Sequence, residues 1–128
     1  MPLVKGYALN ASGAIETTPY PVVKDFKSHK TVCATLSDLY KQILDHAKAG
    51  HCLLKGKLHR ELNFESRKGA TRSDDVSDWV CLDLDGAPFN TPEEFMNGHP
   101  YLKNVSYIVQ YSASSGLGKP GLRCHIFL

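Results

Sequence analysis

Apolar residues recur along this chain with two different periods, and the change of period lays out its elements. From Leu36 to Ala49, the residues Leu36, Leu39, Tyr40, Ile43, Leu44 and Ala47 fall at three- and four-residue steps, which predicts one amphipathic helix with a buried stripe. Thr35 and Asp38 resemble a capping pair, and Gly50 supplies the stop. Val4 to Leu9 predicts a strand, closed by a turn at Asn10-Ala-Ser-Gly13. Thr17 to Ser28, with two prolines and scattered charges, predicts an irregular connection, and Cys52 to Lys55 a short buried strand. Thr91 predicts the cap of a short helix, with Pro92 at its first position, Glu93 and Glu94 in its first turn, and Pro100 barring its continuation. Val105 to Ser112 alternates as a strand, with Tyr107, Val109 and Tyr111 on one face and Ile108, Gln110 and Ser112 on the other.

Two segments put polar residues on apolar strands. In Trp79-Val-Cys-Leu-Asp83-Leu-Asp85-Gly86, strand parity places Asp83 and Asp85 on one face with Trp79 and Cys81, and Val80, Leu82 and Leu84 on the other. In Leu122-Arg123-Cys124-His125-Ile126-Phe127-Leu128, Arg123 and His125 share a face opposite Cys124, Ile126 and Leu128. If the strands are neighbours, an acid pair faces a basic pair. Paired carboxylates suit a hard cation such as Mg²⁺, which completes its shell with waters and substrate phosphates. Taken alone, each segment also has a plainer reading. Asp85-Gly86 is a common turn at a strand end, and a histidine in an apolar strand is commonly a hydrogen-bonded structural residue.

The element order predicts an α+β domain with a largely antiparallel sheet whose centre is the hairpin from Val105 to Leu128, and 128 residues suffice for one domain, 1–128, with a real core. A net charge of +2 neither demands nor excludes a nucleic-acid partner. Local placement says more: residues 56–77 are polar and basic, and Arg67, Lys68 and Arg72 are the cations best placed to contact a nucleic-acid backbone, against the plainer reading of a solvated loop. Phe64 in that segment is expected to be a buried aromatic, with base stacking as the alternative. No stretch approaches the roughly 20 apolar residues of a membrane span and no signal peptide opens the chain, so no membrane partner and a cytosolic setting are expected. Cys33, Cys52, Cys81 and Cys124 are scattered without Cys-x-x-Cys spacing, which argues for reduced, buried side chains over zinc or disulfides. Gly116-Leu-Gly-Lys119 lacks the serine or threonine and the following helix of a Walker loop.

The apolar run ending in Asp83-Leu-Asp85-Gly86, followed by Ser114-Ser115-Gly116, a flexible loop and a strand carrying Arg123-Cys-His125, resembles the first and second motifs of archaeo-eukaryotic-type primases, especially the primase-polymerases of phages and plasmids. The resemblance covers roughly residues 76–128 and, more loosely, 36–56. It implies an RRM-like, largely antiparallel sheet flanked by helices and joined to a small N-terminal α/β unit. It further implies template-directed nucleotidyl transfer in DNA replication, with primer synthesis and DNA extension. Asp83 and Asp85 would then hold Mg²⁺ or Mn²⁺, His125 would contact the phosphates of the incoming nucleotide, and Ser115 and Arg123 would help to position the triphosphate. The implied partners are nucleoside triphosphates, a single-stranded DNA template and a helicase domain in the parent protein, in a bacterial, archaeal or infected-host cytoplasm.

The family's third acidic motif has no counterpart before Leu128. The expectation is therefore the N-terminal portion of a catalytic domain, ending in an unpaired hydrophobic strand and with little activity alone. Three other function classes stand beside it: a non-catalytic RRM-like nucleic-acid-binding module, a soluble domain with no nucleic-acid role, and a haloacid-dehalogenase-type phosphatase, which also carries Asp-x-Asp-Gly but usually follows it with threonine, where this chain has Ala87.

Overall fold

The computed structural model describes residues 5–128, so Val4 of the first predicted strand lies outside the described residues. The chain is α+β, and among the described residues every strand pairs antiparallel. It divides into two compact units, residues 1–78 and 79–128.

In the first unit, β1 (Gly6–Leu9) and β2 (Ile15–Thr18) form a hairpin. Asn10 closes it, its side-chain oxygen accepting from the amides of Ser12 at 3.0 Å and Ala14 at 2.9 Å. The irregular connection expected over 17–28 is therefore partly strand, because this turn brings Thr17 and Thr18 back alongside β1. A second pair joins β3 (Phe26–Lys27) to β4 (Asn63–Glu65). The amide of Ser28 donates to the Leu62 carbonyl at 2.9 Å, and the amide of Leu62 donates to Ser28 Oγ at 2.8 Å, extending that ladder by one step.

Helix α1 (Leu36–Lys48) begins as its sequence requires. The Asp38 amide donates to Thr35 Oγ1 and the Thr35 amide to Asp38 Oδ2, each at 3.1 Å, a complete capping box. The Thr35 hydroxyl, donating to the same carboxylate, is the main cause holding the Asp38 carboxyl below its usual range. At the other end Gly50 takes φ +70°, its amide reaching Ala47 and that of His51 reaching His46, a Schellman stop. The buried stripe is not found: no α1 side chain is buried, and Tyr40 and Leu44 are exposed. Cys52–Lys55, expected as a buried strand, is not in a strand either, and Cys52 is exposed.

The second unit holds the better core. β5 (Cys81–Ala87), α2 (Pro92–Gly98), β6 (Ile108–Tyr111) and β7 (Leu122–Phe127) form a three-stranded sheet in the order β5-β7-β6. Since β5 and β6 both run antiparallel to β7, they run parallel to each other, with α2 in the connection between them. Leu122, Cys124 and Ile126 on one face of β7 pack with Met96 of α2, enclosed by Leu82, Leu84, Phe89, Phe95, Leu102 and Val109. The last strand is thus the centre of its sheet, as expected of the Val105–Leu128 hairpin, and not an unpaired edge. β6 starts later than the alternation suggested, because Asn104 at φ +70° and the Val105 amide bonded to Leu102 hold a turn.

Asp85-Gly86 is not a terminal turn either. The register shifts between Asp85 and Ala87, so Gly86 is a bulge residue inside β5 at φ +88°. Gly121, at φ +78°, packs backbone to backbone against it: a Cβ there would meet the Ala87 oxygen and the Gly86 carbonyl carbon at 2.7 Å. Gly118 has φ +71° but nothing within 4 Å. Gly118→Ala is therefore expected to cost only the left-handed backbone penalty, about 1 kcal/mol. Gly121→Ala should cost clearly more, because the β5 and β7 backbones must also separate. Thermal midpoints of the two variants check this, and equal losses would show that the close approach carries no weight.

Candidate functional site

The register of β5 against β7 builds the site. Asp83 is opposite His125 and Asp85 is opposite Arg123, so the two charged pairs predicted on separate strands meet on the sheet face away from α2. Arg123 Nη1 donates to Asp85 Oδ1. His125 Nε2 lies 3.3 Å from Asp83 Oδ1. The carboxylates are open to solvent, with 59% of the Asp83 side chain and 79% of the Asp85 side chain exposed, while Arg123 is only 15% exposed. The bases form a floor from which the acids project.

Gly86 makes room for this arrangement. A Cβ on Gly86 would lie 3.2 Å from Arg123 Nη2, so the guanidinium crosses the bulge to reach Asp85. Arg123 Nε is buried without a hydrogen-bond partner, one donor of the guanidinium left unused.

On its other side His125 Nδ1 lies 3.3 Å from Gln110 Oε1, across the β6–β7 pairing that sets Gln110 opposite His125. With acceptors at both ring nitrogens the imidazolium donates to both; the neutral ring donates from Nδ1 to Gln110 Oε1 or, with the Gln110 amide reversed, accepts there and turns Nε2–H to Asp83. Either way Gln110 orients the ring. Sequence parity had put Gln110 on the face of Ile108 without assigning it a role, and only the cross-strand register reveals one. Phe127 continues the floor, its ring centroid 6.3 Å from His125 and 6.2 Å from Trp79.

The remaining candidates lie elsewhere. Ser115 is in the β6–β7 loop, where its amide closes a turn onto the Ser112 carbonyl at 2.9 Å; its side chain makes no hydrogen bond to Asp83, Asp85, Arg123 or His125. Arg67, Lys68 and Arg72 belong to the first unit and line an open cleft of about 710 Å³ there, together with Lys55 and Gly69.

The donor set is two adjacent carboxylates open to water, which suits a hard cation that retains waters and takes phosphate oxygens. Among the described residues no group of three or more His, Cys, Asp or Glu is placed to hold a metal. No protein-family model, curated protein or solved structure matches the chain. No helix among the described residues is long and apolar enough to cross a membrane.

Beneath the site, Cys124 is wholly buried, and its thiol is raised, first by burial and then by the negative charge of Asp83. A thiolate is the reactive form. At pH 8 a disulfide reagent is expected to modify exposed Cys52 readily and Cys124 only after unfolding, as read by mapped mass shifts. Comparable rates at the two would mean that the sheet opens at its centre.

Proposed function

We propose that the second unit is a metal-dependent nucleotidyl-transfer site of the primase-polymerase kind. The observation that carries the reading is the pairing of Asp83 with His125 and of Asp85 with Arg123 on one open sheet face. Sequence order and strand parity agree with it. The β5-α2-β6-β7 connection, a split β-α-β with a following antiparallel strand in the middle, is compatible with part of an RRM-like sheet.

On this reading Asp83 and Asp85 hold Mg²⁺ or Mn²⁺, which when bound would supply Lewis-acid stabilisation of phosphoryl charge. Each carboxylate already has a cationic or hydrogen-bonding partner, so a ligand must exchange with it. When a nucleoside triphosphate enters, Arg123 gains phosphate oxygens in place of Asp85, and its unused Nε–H becomes a further donor. His125, held by Gln110, donates from Nε2 toward the polyphosphate. Such charge-assisted bonds are about twice as strong as neutral ones. Ser115 would join only if the β6–β7 loop closes over the nucleotide. Single-stranded DNA is the template, contacted through Arg67, Lys68 and Arg72, with a helicase domain as partner and the cytoplasm as setting.

Calorimetric titration of Mn²⁺ with a nucleoside triphosphate tests the site. Asp83→Asn and Asp85→Asn are each expected to lower metal-assisted nucleotide affinity at least tenfold, about 1.4 kcal/mol, with unchanged circular dichroism. Unchanged affinity in both variants would remove the metal assignment.

His125→Ala is expected to weaken triphosphate binding about tenfold, in line with a hydrogen bond to a charged group, while binding of single-stranded DNA without metal stays the same. Equal losses of both ligands would refute this division. With two carboxylates in the site, primer extension in Mg²⁺ or Mn²⁺ is expected to be slow. Binding without any incorporation would favour the non-catalytic nucleic-acid module, and hydrolysis of a phosphate monoester without nucleotide binding the phosphatase.

A further inference from the structure

Phe64 is the one residue of the β3–β4 pair that the ladder leaves out. Lys27 pairs with Asn63 and Phe26 with Glu65, so two adjacent residues of β3 face two residues of β4 that are separated by Phe64. Phe64 is therefore the extra residue of a bulge, and its backbone stands at φ +57°, a region that bulges normally reserve for glycine. A bulky side chain there is an outlier, and such strain clusters at binding sites. The ring gains no burial in return: 71% of Phe64 is exposed. The expected buried aromatic is thus an outward-facing one, because the bulge turns it out of the ladder.

Cations surround this ring and its neighbour. Lys27 Nζ lies 5.8 Å from the Phe64 ring centroid, and Arg67 Cζ lies 5.1 Å from that of Phe26. Arg67 then leads into the cleft of about 710 Å³ that Lys68 and Arg72 also line, with no acidic residue in its wall. Arg67, Lys68 and Arg72 have no carboxylate partner among the described residues, unlike Arg60, which is paired with Glu65.

The cleft is also built on a fixed turn. Ala70 is fully buried, its amide donating to the Arg67 carbonyl at 2.9 Å and its carbonyl accepting from the His59 amide at 3.0 Å. The His59 ring is in turn held by Asp75 at 2.5 Å.

We infer that the Phe64 bulge and this cleft form a docking surface for single-stranded nucleic acid. Phe64 stacks on an unpaired base, and Arg67, Lys68 and Arg72 take the phosphates that follow it. An exposed aromatic beside a carboxylate-free basic cleft matches the two needs of a single strand, a π face for a base and cations for its backbone. A duplex, with its bases stacked inside, could use only the second. This deepens the template assignment of the proposed function and rests on it for the biological role, but the surface needs neither metal nor triphosphate.

The test is fluorescence anisotropy of a labelled 20-nucleotide oligothymidine with the full chain in EDTA, where failure of the metal site cannot affect the result. Phe64→Leu, which keeps an apolar side chain but loses the ring face, is expected to weaken binding about tenfold, as for loss of one base–aromatic stack. Phe64→Gly should weaken it similarly while leaving the thermal midpoint unchanged or raised, since glycine relieves the backbone; a purely structural Phe64 would lower the midpoint and spare affinity. Replacing Arg67, Lys68 and Arg72 together by glutamine should flatten the logarithmic salt dependence by about 2, at roughly 0.7 per lost contact. Unchanged affinity in both Phe64 variants, or equal affinity for a duplex of the same length, overturns the proposal. Displacement by tripolyphosphate together with indifference to Phe64→Leu would reduce the cleft to a phosphate site and likewise overturn it.

Discussion

The antiparallel register between β5 and β7 is the constraint on which the second unit depends. It sets Asp83 against His125 and Asp85 against Arg123, and it also sends Leu82, Leu84, Cys124 and Ile126 to the opposite, packed face. Side chains alternate along a strand, so slipping one strand by a residue would bury carboxylates under α2 and expose the core. Burial of an unpaired carboxylate costs far more than a surface ion pair returns. The charged pairs therefore do not hold the sheet together; the apolar face holds the register, and the register places the charges. What fixes the end of that register is the contact of Gly121 with the Gly86 bulge, where Gly121 has no space for a Cβ.

The first unit is held differently. Among its described residues only Leu62 and Ala70 are buried, and the amphipathic face of α1 stays half open. Besides the β3–β4 ladder, its order comes from local devices: the Asn10 turn, the capping box of Thr35 and Asp38, the Schellman stop at Gly50, and the turn from Arg67 to Ala70. Each is worth on the order of 1 kcal/mol, and none buries a large apolar area. Segments with few buried contacts open more readily than a packed sheet. On the proposed reading, the packed sheet of the second unit suits chemistry that needs fixed distances, and the less buried first unit suits a surface that would receive a pliable strand.

What was legible in the sequence followed from local rules. Capping, helix-stop and strand-parity signals located α1, α2, β5 and β7 nearly to the residue, because these depend on neighbours within a few positions. The facing of Asp83 and Asp85 toward Arg123 and His125 was legible as a condition, awaiting only the adjacency of the two strands. Adjacency of β5 to β7, and with it the role of Gln110, depends on pairing between distant segments, which no local pattern encodes. The burial of the α1 stripe failed for the same reason. Periodicity reports which face of a helix is apolar, not whether anything covers it.

Two bulges put the backbone at positive φ, and they stand in opposite relation to those rules. At Gly86 the backbone needs a positive φ and the sequence supplies glycine, so the chain obeys its local preferences and Asp85 is turned toward Arg123 without strain. At Phe64 the backbone needs the same conformation and the sequence supplies a large aromatic, with no burial to offset the cost. Natural sequences keep local and global preferences in agreement except where something else is gained. Selection for stability alone would favour glycine at position 64, as at position 86. A ring kept outside the core on strained backbone gains from folding only the Lys27 ammonium 5.8 Å from its centroid, and the proposed base stack is the contact that would offset the rest of its cost.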